Sequence, residues 1–429
     1  MRRIFYLSMF ILFLSTGIFV SCAPQQAQTT VQSETKQPEP QIDSAQVKMY
    51  LSFGWENYKN KQYSRAIEQF KKVLELDPQN EKAHKLLADC YLHHPDPTYI
   101  DSAFALYQNA IKKFPDNAYF YTGLGYIYQK QWASLTKDAL DEPDSSKSAV
   151  LKQKATDMED RALENFLKAV ELNDKDVVSY NSIGKIMLHR GKLDTAMAWF
   201  EKATAIDSNN TTAWEYLAKL YEARNVNDKA AVAYGHLHRL NPKNPDYLLK
   251  NGQYLAKTGK FDEATKILEK YITSNPDDYR GYQYMGLALA ADGKHKEALE
   301  QFKKAEKINP NSVKLMCDIA VNYKDMKKYS SAEKYVSKAK SIDSNYGYIY
   351  IVEGEIIQDK AMDKVPASGE LNMDVKCQFL KATKIYKKAL RDENWSALAR
   401  SKLEYLKPYI PTKEEIAAYK FIEGKSCGE

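Results

Sequence analysis

The sequence predicts an all-α fold: a solenoid of about nine helix-turn-helix hairpins, closed by a C-terminal capping helix. Three observations predict it. Alanine recurs at Ala66, Ala103, Ala162, Ala196, Ala230, Ala264, Ala298, Ala332 and Ala382. A small residue precedes each of them, at Gly54, Ala88, Gly125, Gly184, Ala218, Gly252, Gly286, Ala320 and Gly354. From the fourth unit to the eighth the spacing is 34 residues without a gap, the self-similarity of a repeat architecture.

Each position in the repeat has a physical reason. Two helices that cross closely need small residues where their backbones meet. A bulky apolar residue stands four positions after each alanine, from Phe70 and Tyr107 to Val336 and Tyr386. It is expected to fill the space between adjacent units. The turn between the two helices needs a left-handed residue, and Gly191, Asn225, Gly259 and Gly293 stand there. Ser64, Asp194, Asp228, Asp262 and Ser330 are expected to cap the second helices, with Lys296 leaving the seventh unit weaker. Pro78, Pro115, Pro242, Pro276 and Pro310 stop second helices in five units, because proline cannot continue the hydrogen-bond ladder.

The pattern resembles the tetratricopeptide repeat family, whose signature is W-x2-L-G-x2-Y, then A-x3-F, then P. The fifth unit reads Trp214, Leu217, Ala218, Tyr221, Ala230, Tyr234 and Pro242. The third reads Tyr121, Leu124, Gly125 and Tyr128. The resemblance covers residues 44–396 and implies a right-handed superhelix.

Taken from the N-terminus, Arg2 and Arg3 precede an uncharged run from Ile4 to Val20, which ends in Ser21-Cys22-Ala23. This resembles a bacterial lipoprotein signal peptide, residues 1–21, with Cys22 as the acylated residue and Phe19 standing where leucine is usual. An uncleaved anchor helix is the alternative reading. Residues 22–43 have the Gln/Thr/Pro-rich composition of a flexible tether. Either way the body lies outside the cytoplasm. The resemblance implies a lipid-anchored cell-envelope protein, on the outer membrane in preference to the inner, with its body in the periplasm or at the cell surface.

Two large insertions interrupt the array, near 131–160 and 358–376. The first is expected to form two lengthened helices with Glu142 to Lys147 at their tip, and the second a loop. Residues 397–410 read as the capping helix, with Leu398, Leu403 and Leu406 turned inward to cover the last apolar face. Residues 411–429 form a tail that folds back or frays. Cys90 and Cys317 fall inside helices as small apolar residues. Cys377 and Cys427 lie outside the repeat register, where an oxidising compartment permits a bridge between them.

Composition narrows the function. Charge is +6, from 62 basic and 56 acidic residues. Both signs are interspersed, so no nucleic-acid footprint is expected. Nucleotide-loop, nucleophile-elbow and zinc-protease motifs are lacking from the sequence. No enzyme activity, cofactor, metal or small-molecule substrate is expected. His236 and His238 lie two apart on one helix and diverge, with His236 expected in solvent and His238 partly covered.

In the family, first helices of successive units line a groove that takes peptides or proteins. Carried to this chain, the resemblance implies Trp55, Tyr58, Tyr119, Tyr126, Asn181, Lys185, Glu215, Lys219, Glu222, Gln253 and Gln283 as groove residues. The competing reading has the aromatics packing between units and the charges solvated. Glu215 and Glu222 flank Lys219 at helical spacing, which excludes the Lys/Asn clamp that grips acidic C-terminal tails. The expected role is a scaffold for protein–protein contacts in an envelope assembly of the secretion, pilus or outer-membrane biogenesis type. The alternative is a structural spacer that self-associates.

Overall fold

A computed structural model describes residues 43–365 and 369–427. The proposed signal peptide, Cys22 and most of the tether lie outside the described residues. Among the described residues there is no strand, and no helix is long and apolar enough to cross a membrane. The chain divides into two compact units, Met1–Asn80 and Glu81–Glu429.

The first unit holds one hairpin, α1 (Ser44–Lys59) and α2 (Tyr63–Leu76). Asp43 caps α1 by accepting hydrogen bonds from the Ala45 and Gln46 backbone N–H groups. Lys61 turns the chain at φ 58°. Gly54 packs on the Phe70 ring, which is wholly buried.

The second unit opens with α3 (Glu81–His93) and α4 (Tyr99–Lys113), then the long α5 (Ala118–Asp141) and α6 (Ser145–Leu172). Regular hairpins follow: α7 (Val177–His189) with α8 (Leu193–Ile206), α9 (Thr211–Ala223) with α10 (Asn227–Leu240), and α11 (Pro245–Lys257) with α12 (Phe261–Ser274). Next come α13 (Tyr279–Ala291) with α14 (His295–Ile308), α15 (Val313–Asp325) with α16 (Tyr329–Ile342), and α17 (Tyr348–Met362) with α18 (Met373–Ala389). The unit ends with α19 (Glu393–Leu406), a 3₁₀ turn at Lys407–Tyr409, and α20 (Lys413–Glu423).

The small and bulky positions meet inside one hairpin. A Cβ on Gly184 would lie 2.8 Å from the Phe200 ring, one on Gly252 2.7 Å from Leu268, and one on Gly286 2.6 Å from Phe302. Sixteen residues separate the two, which places one on each arm of the same turn. The bulky residue therefore packs first within its own hairpin and reaches the next one second. Phe200 stacks on Tyr216 at 4.8 Å, and Tyr234 on Tyr254 at 5.8 Å.

The expected turn residues adopt left-handed backbone, from φ 55° at Asn225 to 78° at Gly259 and Gly293. Lys327 does the same at 57°, a position that carries no sequence signal. The expected caps are corrected. Asp194, Asp228, Asp262, Ser64 and Ser330 are each the second residue of their helix, two residues past its cap position. The true cap positions, Gln62, Lys192, Val226, Lys260, Lys294 and Lys328, make no side-chain cap bond. The seventh unit is thus no weaker than its neighbours in this respect. Asp194 acts instead through the helix dipole and through Arg224, at 2.8 Å.

The first helices carry the real caps. Asp176, Asn210, Asn244, Asp278 and Ser312 stand 34 apart, and each accepts a hydrogen bond from a backbone N–H in the first turn of its helix. An Asn or Asp there satisfies a donor that the helix itself cannot.

The two insertions differ. In the first, α5 and α6 form the expected hairpin, with Asp144 capping α6 and Ser148 Oγ donating to the Ala139 carbonyl at 2.6 Å. In the second, helix replaces part of the expected loop, since α17 runs to Met362 and α18 starts at Met373. The capping helix begins at Glu393, before the expected residue 397. Leu406 is buried and Leu403 half-buried, but Leu398 is 37% exposed and Ala399 takes the inward place. The expected tail is an ordered helix, α20, with a Thr412–Glu415 capping box. Cys377 and Cys427 are joined by a disulfide that ties the end of the chain to α18. Cys90 and Cys317 are buried free thiols, and burial pushes both up to about 12.

Candidate functional site: a cleft on the first helices

Tyrosine bonds one hairpin to the next along the second unit. Tyr221 on α9 donates to Glu201 on α8 at 2.7 Å, and Tyr247 on α11 to Glu215 on α9 at 2.7 Å. Tyr335 on α16 donates to Glu306 on α14 at 3.0 Å, and Tyr271 on α12 to the cap Asp278 at 2.6 Å. Each ring contributes apolar surface between hairpins while its hydroxyl reaches a carboxylate. Tyrosine suits such positions better than phenylalanine, and the chain holds 31 tyrosines against 15 phenylalanines.

Most of the expected groove residues belong to this inter-hairpin bonding. Asn181 and Asn210 exchange hydrogen bonds at 3.2 Å. The Lys185 ammonium lies 5.8 Å from the Tyr216 ring centre. Glu222 pairs with Lys250 at 2.9 Å, which outweighs its burial and holds its carboxyl below the usual range. Glu215 accepts from Tyr247. Gln253 is half-buried, and its Oε1 has no partner among the described residues. Lys219 is exposed. In the first unit, Trp55 is 43% exposed and stacks on Tyr58 at 5.6 Å. Tyr126 is 40% exposed, with the Lys130 ammonium 5.1 Å from its ring.

Gln283 is corrected. It is 5% exposed, and its Nε2 donates to Asp318 at 2.6 Å. Asp318 also accepts from the Lys314 ammonium at 2.8 Å. Burial holds the Asp318 carboxyl above its usual range, against the pull of Lys314 and Gln283. The native state thus binds this proton more tightly than the unfolded chain, whose Asp titrates near ~3.9. The stability that this site contributes is full in acid and lost as pH rises through the native value. Asp318→Asn should therefore flatten the fall in melting temperature as pH rises from about 4 towards neutral. Thermal melts of both proteins across that range check it.

One expected residue, Tyr119, lines a cleft of about 820 Å³ between the starts of three successive first helices and the ends of the second helices α4 and α6. α3 supplies Glu81 and Lys85, α5 supplies Tyr119 and Thr122, and α7 supplies Val178 beside its cap Asp176. Asn117 caps α5 and donates from Nδ2 to Glu81 at 2.7 Å. Glu81 also pairs with Lys85 at 2.6 Å, and the Lys85 ammonium sits 5.5 Å from the Tyr119 ring. The Tyr119 hydroxyl donates to Asp89, whose carboxyl burial holds above its usual range. Thr122 donates to Asp176, as does Ser179 at 2.7 Å. Val178 is 55% exposed at the edge of this polar wall. The cleft offers fixed donors and acceptors of both signs beside apolar surface, which suits an extended segment of polypeptide.

Sequence reasoning missed Thr122, Asp176 and Val178. The signal was present in the 34-residue cap series that begins at Asp176, which fixes where each first helix starts. Among the described residues no three His, Cys, Asp or Glu side chains gather as a metal site. His236 is half-buried, not solvent-facing. Its ring stacks on Trp214 at 4.2 Å with Arg239 2.6 Å from its Nδ1, and burial together with that cation holds its pKa below the ordinary value. His238 is half-buried as expected.

Family models described as tetratricopeptide repeat match residues 58–94, 177–210, 249–313 and 313–346. The chain belongs to the tetratricopeptide repeat family. This tetratricopeptide repeat protein is 26% identical over 196 residues to the BBSome complex member BBS4 of Bos taurus, covering 45% of the chain and 37% of that protein. It is 32% identical over 113 residues to the cytochrome c-type biogenesis protein CycH of Rhizobium meliloti, covering 26% of the chain and 30% of that protein. The chain thus spans only about a third of either curated relative. Among solved structures, a tetratricopeptide repeat protein from Parabacteroides merdae matches with 18% identity and a TM-score of 0.45, covering 64% of this chain and 98% of that one.

Proposed function

We propose that this protein is a lipid-anchored scaffold of the cell envelope that holds a segment of a partner protein in the cleft on α3, α5 and α7. The observation that carries the binding role is the cleft itself. The starts of three consecutive first helices and the turns that precede two of them supply its walls, and their polar groups are held by hydrogen bonds before any partner arrives, so little ordering is left to be done on binding. The envelope placement rests on the resemblance of residues 1–22 to a lipoprotein signal, and the assembly role on the family's use of such faces.

Val178→Glu tests the binding role. It adds a carboxylate beside Asp176 and Glu81 without touching the core. Partner capture from the native host is expected to fall at least about tenfold, as for loss of a central contact, while helicity by circular dichroism stays unchanged. Val232→Glu, equally exposed at 54% but on a second helix, should leave capture intact. Equal capture by both variants would rule out the cleft as the binding site.

A further inference from the structure

We propose that α1 docks on α1 of a second copy of this chain, the two helices running antiparallel about a twofold axis at Ser52. First helices of later units bury the register positions that α1 leaves open. Met49 is 42% exposed and Phe53 49%. Their equivalents in the eighth unit, Leu315 and Ile319, are fully buried in one cluster with Phe302 and Ala305 of the preceding hairpin. Leu87 and Leu217, at the Phe53 position, are buried too. No hairpin precedes α1 among the described residues, so this side of the helix meets solvent.

The open side is not simply apolar. Glu56 stands where the third and fourth units hold the fully buried Ile127 and Ile186. Lys48, Met49, Ser52, Trp55 and Glu56 are all exposed, and their spacing of three and four sets them in one stripe along the helix. The stripe is symmetric about Ser52. Lys48 and Glu56 lie four residues to either side of it, Met49 and Trp55 three.

That symmetry selects the occupant. A twofold axis at Ser52 brings Lys48 and Met49 of one copy level with Glu56 and Trp55 of the other, and the reverse holds beyond the axis. Each cation meets a carboxylate, each methionine meets an indole, and the small Ser52 lets the backbones approach. Parallel pairing would set Lys48 on Lys48 and Glu56 on Glu56, which like-charge repulsion disfavours. A lipid surface or a purely apolar segment would leave Glu56 unmatched. The last hairpin presents no such face, because α19 covers α17: Trp395 stacks on Tyr348 at 4.3 Å and Lys402 pairs with Glu355 at 2.6 Å. A face open at α1 and covered at α17 pairs with itself, and a contact of this kind closes as a dimer instead of running on as a filament.

Thiol crosslinking of the full chain, purified from the native host, tests the pairing. Ser52→Cys, treated with a short bismaleimide, should give a homodimer on a denaturing gel. Lys71→Cys, exposed on α2, should not. In the Ser52→Cys background, Lys48→Glu should lower the dimer yield at least about tenfold, because it sets like charges at one level. Glu56→Lys should do the same, and the two reversals together should restore the yield. Circular dichroism checks that each variant is folded. Val178→Glu, in the cleft on α3, α5 and α7, should leave the yield unchanged, so failure here and failure of the cleft are separable. The proposal is overturned if Ser52→Cys gives no more dimer than Lys71→Cys, or is linked instead to a protein of another mass. It is also overturned if the double reversal fails to restore the yield.

Discussion

Gly286→Val is expected to destabilise the array by about 3 kcal/mol, the upper end of overpacking costs. A Cβ at this position alone would lie 2.6 Å from two atoms of the Phe302 ring, and that ring is 0% exposed. The ring has nowhere to go: Ala298 and Ala305 on its own helix, and Leu315 and Ile319 on α15, are all fully buried in the same cluster. Valine adds two methyl groups beyond that Cβ, so α13 and α14 must part. Phe302→Ala leaves a cavity instead and should cost about 3–5 kcal/mol. The double variant should be more stable than the sum of the two, because valine then enters the space the ring has left. A coupling of about 1–3 kcal/mol in a urea double-mutant cycle is the expected outcome. Strict additivity would show that the small and bulky positions do not press on one another. The effect should stay local, since each hairpin of such an array contacts chiefly its neighbours. Hydrogen exchange should therefore quicken in α13 and α14 before it does in α7 and α8.

The second large effect concerns the anchor. Cys22→Ala is expected to move the protein almost completely from the membrane pellet to the supernatant, without change in helicity. Under the proposed function attachment rests on acylation of Cys22. A covalent lipid contributes about 0.8 kcal/mol per buried CH₂, and losing it removes the attachment outright. Retention of Cys22→Ala in the pellet after an alkaline wash would overturn the lipid anchor and favour an uncleaved helix built from Ile4 to Val20.

The hairpins were legible because their determinants are local and periodic. The Gly or Ala, the bulky residue and the left-handed turn each recur at 34, and a helical pair admits few other uses for them. The caps were misread for a local reason. Asp194 and its equivalents look like caps, but the left-handed turn starts each second helix one residue earlier than the acid. The first-helix series from Asp176 to Ser312 satisfies the same rule and was there to be read. The groove was harder. Whether Gln283 faces a partner or a neighbouring Asp318 depends on the rotation of α13 against α15, which no single helix encodes. The same holds for the tyrosine–carboxylate bonds, whose partners lie 20 to 32 residues apart in Tyr221–Glu201, Tyr335–Glu306 and Tyr247–Glu215. Tyr119 survived as a cleft residue because its first helix sits where three hairpins present their starts together.

Site-specific photo-crosslinking tests the central claim, that the first-helix cleft holds a partner. A photoreactive phenylalanine analogue placed at position 178 in the native host should give a discrete adduct above the mass of the monomer. The same analogue at position 232 should give none. Mass spectrometry of the adduct should place the crosslink on one contiguous segment of another protein. An adduct at 232 of equal yield, or none at 178 with the protein correctly anchored, would contradict the account.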